Sequence, residues 1–476
     1  MNRKARSHAR GSDPRRSDPP PRRRVFTNRN LRMDSIAAVG FDMDHTLAVY
    51  NTDNFNHLSF VMAIEALIRD KGYPEEIRAI DWEPEAAIRG LVVDKKLGNL
   101  LKIDAYNHVT RARHGRKFLD RDERRKRYPR SGIRLGTTRY RVFDTLFDLP
   151  EGSLYASLVH LKETKRGLLG MNFHTLYDDI RGAVDTLHAD GSLKARITAD
   201  LDSYFLKDPN LLPTLRKYRK AGKKLFLLTN SEVPYTAAVM DHLIGGKKGS
   251  WEGIFDLVVC FSCKPGFFVA RGNGEPVEQG AFPQMPNRKG HCYEGGDSFF
   301  LEKKIGCSGD EILYFGDHTY GDILRSKKSV GWRTAMIVPE VEQEVAALRP
   351  LRDDWQALAV LEDKLEDLIM ERDHLRAVDG RTNDRTNDRI AELDKLVGDA
   401  LGKRARLQRN LRAVFNPHWE SLFREGRAAS RLGRQLMEFA CIYTSRVSNF
   451  LNYPTDKFFA RPVEVLPHER WALPET

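Results

Sequence analysis

Ile36-Ala-Ala-Val-Gly-Phe41, followed at once by Asp42-Met-Asp44-His-Thr46-Leu47, is the stretch on which the fold turns. A short, unbroken apolar run reads as a strand covered on both faces, as in a parallel sheet flanked by helices. Four later runs have the same character: Lys223-Lys-Leu-Phe-Leu-Leu228, Phe255-Asp-Leu-Val-Val259, Glu311-Ile-Leu-Tyr-Phe315 and Thr334-Ala-Met-Ile-Val338. Helical periodicity separates them. One helix is expected over residues 55–71, stopped by Gly72 and Pro74, and helices dominate residues 151–222. Residues 90–93 and 100–103 read as a strand pair, residues 121–130 as a charged loop, and the Gly/Pro-rich residues 271–296 as a loop or hairpin excursion. The fold class expected is α/β, with a parallel sheet.

Beyond Pro339 the pattern changes. Leu358, Leu361, Leu365, Leu368 and Leu375 recur at three- and four-residue steps, and a second helix is expected over residues 390–411. The repeat Arg381-Thr-Asn-Asp384, Arg385-Thr-Asn-Asp388 between them reads as a polar turn, which makes an antiparallel hairpin and a candidate oligomer surface.

Charge is distributed unevenly over the 476 residues. Lys+Arg 78 against Asp+Glu 66 gives +12, yet residues 1–32 hold 11 bases and two acids, or +9, leaving 12 − 9 = +3 for the rest. The first 32 residues therefore read as a disordered basic tail. Nucleic acid is a partner only through that tail, as a salt-sensitive, non-specific contact. No run approaches the roughly 20 apolar residues of a membrane helix, so no membrane partner is expected. Five cysteines make no disulfide framework, and Cys260-Phe-Ser-Cys263 has no second pair at zinc spacing. Reduced thiols without an export signal point to the cytoplasm.

The strand ends carry the chemistry. Ligands of doubly wound sheets sit beyond the carboxyl ends of the strands. Asp42, Asp44, Thr229, Asn230, Lys264 and Asp317 could therefore meet, far apart as they are in the chain. Two carboxylates two residues apart can divide nucleophilic and acid–base work. Asp317, with Asp322 behind it, completes oxygen ligation for a hard ion such as Mg²⁺. Lys264 offsets the negative charge, and Thr229 and Asn230 can donate to phosphate.

These motifs resemble those of the haloacid dehalogenase superfamily: Asp42-Met-Asp44-His-Thr46, Leu228-Thr-Asn-Ser231, Lys264-Pro-Gly-Phe-Phe268 and Gly316-Asp-His-Thr-Tyr-Gly-Asp322. The stretch Gly40 to Tyr50, with Gly98-Asn-Leu-Leu-Lys-Ile-Asp-Ala-Tyr106, Gly331-Trp-Arg-Thr334 and Tyr443-Thr-Ser-Arg446, is similar to the cytosolic purine (IMP/GMP-specific) 5′-nucleotidase family. The resemblance spans about residues 36–460. It implies a Rossmann-like core over residues 33–75 and 215–345, an inserted mixed α/β cap over 76–214 and a helical extension over 346–476. It also implies hydrolysis of purine nucleoside monophosphates by a homo-oligomer, with nucleoside phosphotransfer as a second activity. Asp42 would be the nucleophile and Asp44 the acid–base. Mg²⁺ would rest on Asp42, the Asp44 carbonyl and Asp317, with Asp322 in support. Thr229, Asn230, Ser231 and Lys264 would hold the phosphate end. Phe147, Asp148, Arg181, Asp185, His188 and Lys194 would read the base; the first two stand where the family has Phe-Asn, and Ala189 stands where it has an aromatic. The alternatives are a phosphatase acting on another small phosphomonoester, and a non-catalytic scaffold that uses the basic arm.

Overall fold

The computed structural model describes residues 19–245, 249–269, 292–378, 384–426 and 428–469. The apolar runs become strands β1 (Phe26–Thr27), β2 (Ala38–Phe41), β3 (Lys224–Leu228), β4 (Leu257–Cys260), β5 (Cys292–Glu294), β6 (Ile312–Gly316), β7 (Arg333–Ile337) and β8 (Ile442–Thr444). They form one sheet in the order β1-β8-β7-β6-β2-β3-β4-β5. Every pairing is parallel except the edge pair β1–β8. β2 is central, with Val39 registered against Leu225 on one side and Leu313 on the other. All four of its residues are buried, because both sheet faces are covered.

A second, five-stranded antiparallel sheet runs in the order Lys117–Phe118, Val109–His114, Asn99–Ile103, Val92–Asp94, Tyr140–Val142. Its central pair sets Val92 against Leu101. The helices Leu149–Thr164 and Phe173–Ala189 share one hydrophobic cluster with the helix Thr52–Lys71, through Leu154, Leu158, Leu176 and Ile180 packed with Phe60 and Leu67. The insertion is thereby seated on the core. Among the described residues, no helix is long and apolar enough to cross a membrane.

Several sequence expectations change. Residues 19–32 are not a free tail: Phe26 stacks on Tyr443 at 5.1 Å, and Leu31 is buried and paired with Phe459. Two apolar anchors inside a basic segment are enough to dock it, and composition averages conceal them. Residues 1–18 lie outside the described residues. The sheet core takes β1 and β8 from segments assigned to the tail and to the helical extension. In the excursion read over 271–296, Cys292–Glu294 is the edge strand β5, and residues 270–291 lie outside the described residues. The charged loop is largely a helix, Arg121–Arg127, begun by a capping box between Asp120 and Glu123. The hairpin helices are Arg352–Val378 and Asp384–Ala413. Arg385 to Asp388 therefore lie in the second helix, while Arg381-Thr-Asn383 falls outside the described residues.

Gly40 is needed for packing. A Cβ there would lie 2.0–2.7 Å from ring atoms of Phe226, which is wholly buried in β3. Gly40→Ala should lower unfolding free energy by about 1–3 kcal/mol through overpacking, read from the denaturant midpoint. Adding Phe226→Leu should return part of that loss.

Candidate active site

Three strand ends meet at one ammonium. Asp42 follows β2, Asp322 follows β6 in a wide helical turn (Thr319–Leu324), and Lys264 comes from the loop after β4. Lys264 Nζ lies 2.9 Å from Asp42 Oδ1 and 2.7 Å from Asp322 Oδ1, and all three side chains are buried. Lys264 Nζ also donates to the Leu228 carbonyl at 3.1 Å and to the Tyr314 hydroxyl at 2.8 Å. Gly316 allows this approach, since a Cβ there would fall 2.5 Å from that of Asp322.

Carboxylate oxygens of Asp42, Asp317 and Asp322 lie within 4.8 Å of one another. Burial pushes the Asp42 carboxyl up to about 8 against the pull of Lys264. Burial, with Asp322 and Asp42 beside it, holds Asp317 well above the usual range. Among the described residues, Asp317 Oδ2 is buried with no hydrogen-bond partner. Three buried carboxylates with a single ammonium among them, one oxygen left over, suit a hard divalent cation. The Asp44 carboxylate is not in this trio.

Asp44 faces the other way. Tyr50 donates to its Oδ1 at 2.7 Å and Ser231 to its Oδ2 at 2.8 Å. Tyr50 in turn meets the Tyr235 hydroxyl at 2.9 Å. Burial raises the Asp44 pKa, while the Tyr50 and Ser231 hydroxyls oppose the rise. His45 turns the chain here with φ 56, its ring 4.4 Å from Tyr50 and 4.5 Å from Phe147. Burial, then Arg89, depresses its pKa to about 3, so the ring is an apolar wedge rather than a charge.

A cavity of about 360 Å³ opens on the Asp44 side of the site. Asp44, Asn230 and Ser231 line it, and so do Phe147, Asp148, Arg181, Asp185, His188 and Lys194. The set named from sequence as base-reading is thus brought together beside the Asp44 carboxylate. Arg181 is held on three sides: by Glu151 Oε2 at 2.9 Å, Asp148 Oδ1 at 3.2 Å and Asp185 Oδ1 at 2.7 Å. Burial, then Lys194 and Arg181, lowers the His188 pKa to about 4. Lys194 pairs with Glu232.

Some named residues act indirectly. The Asn230 side chain is spent on the lysine loop: Oδ1 accepts from Lys264 N at 2.7 Å and from Ser262 Oγ at 2.8 Å, and Nδ2 donates to Lys264 O at 3.0 Å. Thr229 is fully buried and its hydroxyl accepts from Ser231 N at 3.1 Å. Asp148 Oδ2 caps its own turn through Asp144 N at 3.1 Å and Thr145 N at 3.3 Å. Cys260 is buried and Cys263 exposed, with no metal group around them among the described residues.

Sequence reasoning missed several groups. Arg89, wholly buried, donates to the Asp317 carbonyl at 3.0 Å and forms a two-pronged pair with Glu340 at 2.7 Å. Tyr235, Tyr314 and Glu151 went unseen as well, for no local pattern separates them from ordinary helix and strand residues. Tyr50 ends the first motif, and nothing local marks its hydroxyl as the partner of Asp44.

An acid trio around one lysine at the carboxyl edge of a parallel sheet, beside a cavity, is the arrangement of a phosphomonoester hydrolase. The chain belongs to the 5′-nucleotidase family, whose model matches residues 25–471. It is 30% identical over 462 residues to a 5′-nucleotidase domain-containing protein of Dictyostelium discoideum, covering 94% of this chain and 74% of the relative. It is 29% identical over 461 residues to 5′-nucleotidase domain-containing protein 2 of Rattus norvegicus, covering 94% and 80%. Among solved structures it is similar to an archaeal beta-phosphoglucomutase from Pyrococcus (10% identity, TM-score 0.30, 64% of this chain and 87% of that one). It is also similar to a predicted phosphoglycolate phosphatase from Haemophilus somnus (13% identity, TM-score 0.27, 64% and 86%).

His188 makes the stability depend on pH. Its folded pKa of about 4 lies below the ordinary 6.5, so between those values the unfolded chain binds a proton that the folded chain refuses. Stability should fall as pH drops through that window, by about 1.4 kcal/mol per pH unit from this one group. His188→Gln should flatten the slope of unfolding free energy against pH between those limits by that amount.

Proposed function

We propose that the protein is a Mg²⁺-dependent 5′-nucleotidase that hydrolyses purine nucleoside 5′-monophosphates of the IMP/GMP type through a phospho-aspartate. One observation carries this reading: a single cavity of about 360 Å³ is lined by Asp44 and Ser231 together with Phe147, Arg181, Asp185 and His188. A phosphate beside the carboxylates would leave its base among those cap side chains. Phe147 offers a ring face, Arg181 fixed donors, and His188 a neutral imidazole that can donate or accept.

The steps follow from the positions of the side chains. Both hydrogen-bond partners of Asp42 among the described residues hold Oδ1, namely Met43 N at 2.8 Å and Lys264 Nζ. That leaves Oδ2 to attack phosphorus. The bond to the ribose oxygen breaks, and Asp44 supplies the proton to that oxygen. Asp44 then takes a proton from water as the water attacks the phospho-aspartate, which releases phosphate and restores Asp42. An acceptor nucleoside in place of water would give phosphotransfer. Asp42, Asp317 and the Asp44 carbonyl would hold Mg²⁺, which when bound offsets charge on the phosphoryl oxygens. Lys264 does the same from the protein side, and the cap limits water around the leaving group.

The test is phosphate release from IMP, GMP, AMP and CMP with Mg²⁺. Release should favour IMP and GMP, vanish with chelator, and fall at least about 10³-fold in Asp42→Asn, since the nucleophile is lost. Folded, metal-loaded protein that releases nothing from any nucleotide would overturn the reading. Tyr50→Phe removes a hydrogen bond that favours ionised Asp44. It should move the acid limb of the kcat profile to higher pH and change kcat more than KM.

A further inference from the structure

His318 stands inside the fourth strand-end motif, between Asp317 and the turn that carries Asp322, and the steps given above do not use it. Its backbone is tied to the lysine cluster. The His318 N–H donates to Asp322 Oδ2 at 3.2 Å, and its carbonyl accepts from Asp322 N at 3.0 Å. Its side chain begins the turn Thr319–Leu324: Nδ1 accepts from Tyr320 N at 3.2 Å and from Gly321 N at 3.0 Å. The ring lies against Gly321, where a Cβ would press on it at 3.3 Å. The backbone that the imidazole caps therefore fixes the ring in place.

The same two bonds assign the tautomer. A ring nitrogen that accepts hydrogen bonds carries no hydrogen, so the N–H of the neutral ring is at Nε2. Among the described residues Nε2 has no hydrogen-bond partner, and His318 lines the cavity together with Asp44. Other donors that line it are already engaged: Tyr50 and Ser231 with Asp44, Arg181 with three carboxylates, Lys194 with Glu232. His188, a second imidazole of the cavity, comes from the helix Phe173–Ala189 and sets its ring edge-on to Phe147 at 5.7 Å. His318 comes from the sheet edge instead, one residue from a carboxylate of the acid trio.

A nucleoside monophosphate holds its ribose between the phosphate and the base. With the phosphate at the acid trio and the base beside Phe147 and His188, the cavity residue next to the trio meets the sugar. The geometry points to His318 Nε2 as a donor to a hydroxyl oxygen of the ribose, so that the site favours a sugar with that hydroxyl over one without it. This rests on the nucleotidase reading above and adds the sugar to what the site recognises. Lys264 is already placed to meet the phosphoryl charge, and a neutral N–H suits an uncharged hydroxyl oxygen. His318 is thus a specificity-determining residue, with one nitrogen for the turn and the other for the substrate.

The test is kcat/KM for IMP, 2′-deoxy-IMP and 3′-deoxy-IMP with Mg²⁺, in the wild type, His318→Asn and His318→Gln. An asparagine sets its Oδ1 where Nδ1 stands, so it keeps the cap and loses the Nε2 donor. A glutamine sets its amide near Nε2, so it keeps a donor and loses the cap. Circular dichroism checks that both variants fold. The wild type should favour IMP over one of the deoxy substrates by about 3–10-fold, the contribution of one hydrogen bond. His318→Asn should remove that preference by losing rate on IMP alone, while His318→Gln should keep a larger preference than His318→Asn. A merely structural role would do the reverse, sparing the asparagine variant and slowing the glutamine variant on all three substrates. A wild type that releases phosphate from IMP without any preference overturns this inference and leaves the nucleotidase reading standing. So does an asparagine variant that keeps the preference, that slows on all three substrates alike as a phosphate contact would require, or that matches the glutamine variant. Folded, metal-loaded wild type that releases nothing from any of the three overturns the inference together with the reading beneath it.

Discussion

The ammonium of Lys264 between Asp42 and Asp322 is the interaction on which the rest depends. Parallel strands bring their carboxyl ends to one edge, and here those ends bear acids that burial would drive apart or neutralise. A single cation held between two of them makes the cluster tolerable. Removing one partner of such a buried pair typically costs about 3–5 kcal/mol, because the other is left charged and unpaired. Much of the surrounding structure keeps the lysine in place. Asn230 grips its backbone from both sides, Tyr314 and the Leu228 carbonyl share its remaining hydrogen, and Gly316 lets Asp322 come close.

At that edge Asp42 and Asp44 are turned in different directions by different partners: Lys264 for the first, Tyr50 and Ser231 for the second, and Asp44 alone of the two lines the cavity. The cap supplies shape and fixed hydrogen bonds. Arg181 reaches the cavity with its charge balanced by Glu151, Asp148 and Asp185, so it serves as a rigid donor more than as a free cation. His45 and Phe147 join the halves, since the His45 ring follows Asp44 directly and packs on the Phe147 ring. The helix Thr52–Lys71 makes the helices Leu149–Thr164 and Phe173–Ala189 part of the same core, which fixes the distance between the carboxylates and the side chains those helices bring to the cavity.

Where the sequence misled, the reason was locality. Basic residues dominate the count before residue 32, but Phe26 and Leu31 decide where the chain goes, and their value comes from Tyr443 and Phe459 more than 400 residues later. The run Arg121–Arg127 reads as a charged loop, yet Asp120 and Glu123 satisfy the first turn's free amides and start a helix. Arg89 and Glu340 form a part-buried pair across 251 residues, and neither had a local mark of function. Strands of two or three residues such as β1, β5 and β8 are too short for any pattern to show.

The sequence by itself determined the class of the fold, the strand-end acids and lysine, and the cap residues that share one cavity. Unbroken apolar runs have little choice but burial, and the polar residues that follow them must lie at the sheet's edge. The tertiary structure alone decided how those residues are used. It spent Asn230 on the lysine loop, turned Asp148 into a cap and a brace for Arg181, and gave Asp44 its two hydroxyl partners. The same residue types could have been arranged otherwise. Which oxygen meets which proton depends on distances between elements far apart in the chain, and those exist only once the core has packed.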